Sequence, residues 1–312
     1  MRLATFSTNP DPTPRVGIVD PAASVLWDLK QEARRLGLPL PFDPVSMVSL
    51  IAAGEAGRHA LSRVLAGQGF RLLPLAEARL HAPLPRSAKN VFCVGWNYLE
   101  HFREGEAVRP ESREPPAHPV FFSKAATAVT GPRETLSFDP AVSGQMDWEV
   151  ELGVVIGRAG RDIAEADAFA HVFGYTVIND VSARDVQWRH GGQWLKGKSL
   201  DGSCPMGPWI VTADALDPTD LSLTTRVNGV VKQQARTQQM YFKVPRIIAE
   251  LSRGMTLEPG DVIATGTPAG VGFARKPPEF LRSGDVLETE IEGIGMLRNP
   301  VRFSPARLPA AG

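Results

Sequence analysis

From residue 90 onward, short apolar runs are cut off again and again by glycine and proline, and this punctuation limits what the chain can fold into. The 312 residues include 29 Gly and 27 Pro. Runs at 91–94, 148–156, 175–178, 209–211, 223–227, 262–265 and 286–291 are each too short for a buried helix and read as strands. Helical spacing is rarer, at 163–170, 182–189 and most clearly 244–253. Strands and helices do not alternate regularly, so a doubly wound parallel sheet is not expected. The reading is a strand-rich α+β fold.

The first eighty residues differ. Residues 15–20 read as a strand, 46–65 carry Met47, Leu50, Ile51, Leu61, Val64 and Leu65 near helical spacing, and weak strand character follows at Phe70, Leu72 and Leu73. Residues 82–87, Pro-rich and aperiodic, read as a linker. The expected organisation is a small N-terminal α/β domain over 1–81, a catalytic domain over 82–303 and a flexible tail over 304–312.

Charge narrows the partners. Thirty-four Lys and Arg balance 34 Asp and Glu, whereas nucleic-acid binding normally leaves a domain basic. A polybasic membrane contact is excluded on the same ground, and no apolar run reaches bilayer-spanning length. No targeting segment is visible at the N-terminus. The two cysteines, Cys93 and Cys204, have neither disulfide-framework nor zinc spacing and read as buried thiols. The expectation is a cytoplasmic protein with a small-molecule substrate.

One motif match is misleading. Residues 192–199 satisfy the GxxxxGK[ST] pattern of phosphate-binding loops. A working loop needs a buried strand before it and a helix after it. Here Asp201, Gly202 and Pro205 would break any such helix within a turn, so nucleotide binding is rejected.

The chemistry concentrates in acids. Within MDWEVELGVVI, from Met146, Glu149 and Glu151 stand at i and i+2 and so face one side of a strand, about 7 Å apart along the backbone. Paired carboxylates beside a buried aliphatic run repel each other unless a cation or a proton intervenes. Oxygen-only ligands favour a hard divalent ion over zinc; a solvent-facing edge-strand pair is the bland alternative. The apolar run GYTVIND ends in Asp180, a third carboxylate that could equally be a helix cap. Finally, His101 and Glu104 at i and i+3 would share a helix face, with Glu104 orienting His101 as a general base. Residues 105–118, rich in Glu, Arg and Pro, read as a covering loop.

These motifs together resemble the fumarylacetoacetate hydrolase family over residues 86–303. The match rests on VGWNYLEHFRE from Val94, PVFFSKAATAVTGP from Pro119, DWEVELGVVIG from Asp147, GYTVINDVSARDVQ from Gly174, KGKSLDGSCPMGPW from Lys196 and GDVIATGTPAGVG from Gly260. The resemblance implies a mixed β-sandwich roll and a homodimer. It implies Glu149, Glu151 and Asp180 as metal ligands, with Mg²⁺ the usual ion and Mn²⁺ or Ca²⁺ as alternatives. It also implies a His101–Glu104 base dyad, Lys198 facing the substrate oxygens, Arg184 and Gln187 lining the pocket, and Thr267 at the substrate carboxylate. Trp96 departs from the smaller residue common at its position. The expected substrate is a 2-oxo acid, and the expected reaction is carbon-carbon hydrolysis of an acylpyruvate; isomerisation or decarboxylation through the same enolate is the alternative.

Overall fold

The strand Val150–Ile156 is buried along its whole length, as its unbroken apolar character requires of a strand covered on both faces. It pairs antiparallel with Val172–Asn179 on one side and with Val262–Ala264 on the other. Gly153 permits the close packing here, because a Cβ at that position would lie 2.8 Å from side-chain atoms of Ile178 and Thr176. The computed structural model describes residues 1–106 and 114–305.

Among the described residues, these strands belong to a twelve-stranded sheet. Its main path runs from Leu72–Pro74 through Val25–Asp28, Arg15–Asp20, Arg2–Ser7, Cys204–Thr212, Val172–Asn179, Val150–Ile156, Val262–Ala264 and Val91–Gly95 to Val120–Lys124. A five-stranded sheet, ordered Val230–Arg236, Ser222–Val227, Val286–Ile291, Gly295–Phe303 and Leu136–Phe138, packs on one face. Val150, Leu152, Val154 and Val177 meet Leu223, Ile291 and Leu297 there. On the opposite face, Val155, Ile178 and Val262 share a core with Leu29, Leu50 and Leu61 from the N-terminal helices. The fold is therefore strand-rich and mixed α+β, as expected.

The N-terminal region does not form a separate sheet. Arg2–Ser7 pairs directly with Cys204–Thr212, and Ala82, Pro83 and Leu84 of the expected linker are buried. Thr5 Oγ1 donates to the Pro83 carbonyl at 2.7 Å. The expected 46–65 helix is two helices, Met47–Ala52 and Gly54–Leu65, broken where Gly54 takes φ +55°. The 163–170 helix is a 3-10 turn, Glu165–His171. At 182–189 the chain first bridges Met146–Asp147 through Ser182–Ala183 and then makes only the four-residue helix Arg184–Gln187. The expected tail and covering loop lie partly outside the described residues, at 306–312 and 107–113. No helix among the described residues is long and apolar enough to cross a membrane, and Cys93 and Cys204 are buried free thiols, as read from the sequence.

Candidate metal and active site

Two neighbouring strands deliver the acids. Glu149 immediately precedes Val150–Ile156, Glu151 lies within it, and Asp180 follows Val172–Asn179. A local clamp fixes them: Asp180 N donates to Glu149 O at 2.9 Å, and Glu149 N donates to Asn179 Oδ1 at 3.0 Å. All three carboxylates are at most 4% exposed, and one oxygen from each lies within 4.8 Å of the others. Oxygens bound to one small divalent ion at about 2.1 Å stand roughly 3 to 4 Å apart, so this donor set fits such an ion with small side-chain adjustment. Asp180, left open as a helix cap from its sequence alone, joins the acid cluster instead.

The electrostatics agree. Burial, with Asp180 and Glu149 alongside, pushes the Glu151 carboxyl well above its ordinary value. Its Oε2 accepts from Gly266 N at 2.7 Å. Burial opposes ionisation of Glu149 too, but the positive Lys198 and Arg184 outweigh it and hold Glu149 down to about 2. The triad thus contains one firm anion and one carboxyl that favours a proton wherever no cation replaces it.

Lys198 is buried, with Nζ at 2.7 Å from Glu149 Oε2 and 2.8 Å from Asp180 Oδ2. Burial works against its charge, yet Asp180 and Glu149 outweigh that and raise its pKa. The surrounding chain removes any phosphate-loop reading: glycines 191 and 192 form a left-handed turn rather than following a strand, and the helix Leu195–Lys198 has only four residues. Arg184 bonds Asp147 Oδ2 at 2.8 Å and Gln187 Oε1 at 3.1 Å and lies 2.6 Å from Glu149 Oε1. His101 is 5% exposed, and its Nδ1 stands 2.7 Å from Glu104 Oε1. Glu104 Oε2 accepts from Gly270 N at 2.9 Å, which ties the helix Leu99–Glu104 to the loop after Thr267. Thr267 Oγ1 accepts from Gln233 Nε2 at 2.8 Å. One cavity is lined by His101, Glu149, Glu151, Arg184, Gln187, Lys198 and Thr267. Asp180 backs it through Lys198.

Several further residues carry no local spacing pattern that marks their role. Lys124 is fully buried, with Nζ 2.7 Å from Asp180 Oδ1 and 3.1 Å from Val181 O. Asp147, paired with Arg184, accepts from the Trp148, Gly272 and Phe273 amides. Asn97 bonds Phe242 N and O and Thr265 O, and Gln233 bridges Val150 N to Thr267. Each is a single polar residue whose partners lie far away in sequence, so only the fold reveals its role. With these included, four carboxylates face three cations, and a bound divalent ion would leave the cluster one charge positive, suited to an anionic ligand.

Residues 90–302 match the fumarylacetoacetate (FAA) hydrolase C-terminal family model. The chain belongs to this family. Two relatives share its sequence over most of both chains. Oxaloacetate tautomerase YisK of Bacillus subtilis (strain 168) is 43% identical over 287 residues, covering 88% of this chain and 92% of the relative. Mitochondrial oxaloacetate tautomerase FAHD2A of Bos taurus is 47% identical over 263 residues, covering 84% and 81%. Among solved structures, maleylpyruvate hydrolase from Sphingobium sp. SYK-6, in complex with manganese(II) and pyruvate, superposes with a TM-score of 0.76 at 30% identity, over 97% of this chain and all of that one. A member of this family thus holds a divalent metal.

Proposed function

We propose that this protein is a divalent-metal-dependent tautomerase of a short 2-oxo acid, with oxaloacetate as the leading substrate. The observation that carries the reading is the buried triad Glu149, Glu151 and Asp180 beside the His101–Glu104 pair in one cavity. High identity to oxaloacetate tautomerases over most of the chain favours isomerisation over the carbon-carbon hydrolysis read first from the sequence.

Glu149, Glu151 and Asp180 would hold the ion, with Mg²⁺ or Mn²⁺ suited to the oxygen donors. Bound there, the ion supplies Lewis acidity toward a 2-oxo acid and makes the C3 hydrogens easier to remove. The Glu104 carboxylate engages His101 Nδ1, which leaves Nε2 to take a proton from C3 or return it. Lys198 adds positive charge where the 2-oxygen becomes negative. Arg184, Gln187 and Thr267 serve the carboxylates, and the hydrophobic walls keep water from the developing enolate. Tautomerisation is complete when the proton gained at C3 is balanced by one lost from the 2-hydroxyl to the His101 imidazole or solvent, whereas hydrolysis requires a water placed at a second carbonyl.

The test follows enol loss and pyruvate release separately, using Mg²⁺-loaded protein with enol-oxaloacetate, acetylpyruvate and fumarylpyruvate. Rapid enol-to-keto conversion of oxaloacetate without pyruvate release is expected. Pyruvate release from the dioxo acids with no effect on the oxaloacetate enol would return the assignment to hydrolysis. His101→Ala is expected to slow tautomerisation by about 10²- to 10⁴-fold.

A further inference from the structure

One wall of the cavity is not ionic at all. Gly95, Trp96, Phe122 and Trp194 line it. The Trp194 ring meets Trp96 edge-on at 5.8 Å and Phe122 at 5.1 Å, and the Trp96 ring stacks on His101 at 5.1 Å. Trp194 sits where a side chain at residue 95 would otherwise stand: a Cβ on Gly95 would lie 2.5 Å from Trp194 Cζ3. The cavity measures only about 20 Å³, room for roughly one water-sized body. A ligand larger than this that seats inside the cavity must therefore displace a lining group. The polar lining is held by buried ion pairs of Lys198 and Arg184 with their carboxylate partners, and the Lys198 ammonium adjoins the Phe122 ring at 5.0 Å, so the less buried Trp194 is the lining group best able to yield. Trp194 is half-buried and follows the left-handed turn at Gly191 and Gly192.

We propose that Trp194, seated on Gly95 and braced by Trp96 and Phe122, sets the size of the group a 2-oxo acid can carry at C3. A carboxylate-sized substituent is accepted and a ring-sized one refused. This deepens the tautomerase reading and rests on it for the orientation of the ligand, with C3 beside His101 and hence beside Trp96. Truncating Trp194 frees the volume of an indole next to that carbon.

The experiment measures dissociation constants of oxalate and phenylpyruvate on Mn²⁺-loaded protein by calorimetry. Oxalate has no C3 and so carries no substituent for the wall to sort. In Trp194→Ala, phenylpyruvate should tighten about 10-fold or more relative to oxalate, the scale on which pocket volume discriminates ligands. Trp194→Phe should shift the ratio by about 3-fold in the same direction and carries the test if the alanine variant does not fold. An unchanged or inverted ratio in the folded variant would overturn the proposal. The ratio requires no turnover, so a wild type inert toward oxaloacetate would sink the tautomerase reading separately.

Discussion

Glu151 reports most directly on what the acid cluster holds. Its carboxyl is pushed up by burial, Asp180 and Glu149, so the ion-free fold keeps a proton there that the unfolded chain has already released. Ion-free stability must therefore fall as pH rises from the ordinary carboxylate value toward the raised one. A divalent cation replaces that proton and removes the penalty. The difference in melting temperature between ion-loaded and ion-free protein should widen steadily above about pH 5, and Glu151→Gln should flatten the ion-free curve. A constant difference across the same range would contradict the assignment. Glu149 does not confuse the measurement: its carboxyl is held down to about 2, so its contribution is lost only as pH falls below the ordinary carboxylate range. Lys124 gives a second test. Lys124→Met leaves Asp180 Oδ1 without its buried cation, and urea unfolding should show a loss of about 3 to 5 kcal/mol. Glu149 and Glu151 were legible because they form a short local pattern, and Lys198 only through the family resemblance; the pairings of Lys124 and Asp147 were not, because their partners sit 56 and 37 residues away.

The most constrained element is the turn from the strand Val91–Gly95 into the helix Leu99–Glu104. Trp96 takes φ +57°, a left-handed conformation that costs a bulky residue on the order of 1 to 3 kcal/mol. Asn97 offsets that strain with three buried hydrogen bonds, to Phe242 N, Phe242 O and Thr265 O. Trp96 then lies flat on His101, so the strained turn positions the base. Asn97→Ala should cost about 2 to 4 kcal/mol in urea unfolding and lower kcat for tautomerisation, with oxalate binding largely retained. Equal stability in the variant would show that the clamp is not what holds the turn. At this scale the apolar runs foretold the central strands well, and 286–291 coincides with the observed Val286–Ile291. Strands of the smaller sheet such as Gly295–Phe303 alternate buried and exposed residues around charged side chains, a pattern too diluted to stand out. The short helices at Arg184–Gln187 and Leu195–Lys198 are fixed by tertiary contacts rather than by periodicity.

For the whole molecule, continuity of the main sheet matters more than any boundary drawn at a proline-rich stretch. Arg2–Ser7 covers the edge of Cys204–Thr212, and the N-terminal helices complete the core around Val155, Ile178 and Ile210. A chain beginning at residue 82 should expose that edge and that apolar face, and aggregate or melt far below the full chain; a folded, soluble fragment with full metal affinity would show that the two parts are independent. The overall charge balance read from the sequence conceals a buried cluster of four acids and three bases, an arrangement that only folding assembles. The account stands on that cluster holding one divalent ion per chain and on proton transfer depending on it. The most direct measurement titrates metal-stripped protein with Mn²⁺ while following both bound ion and the rate of oxaloacetate enol-to-keto conversion. Activity should rise in step with occupancy and saturate at one ion per chain, with Glu149→Gln losing both; full conversion by the metal-stripped protein would contradict the account.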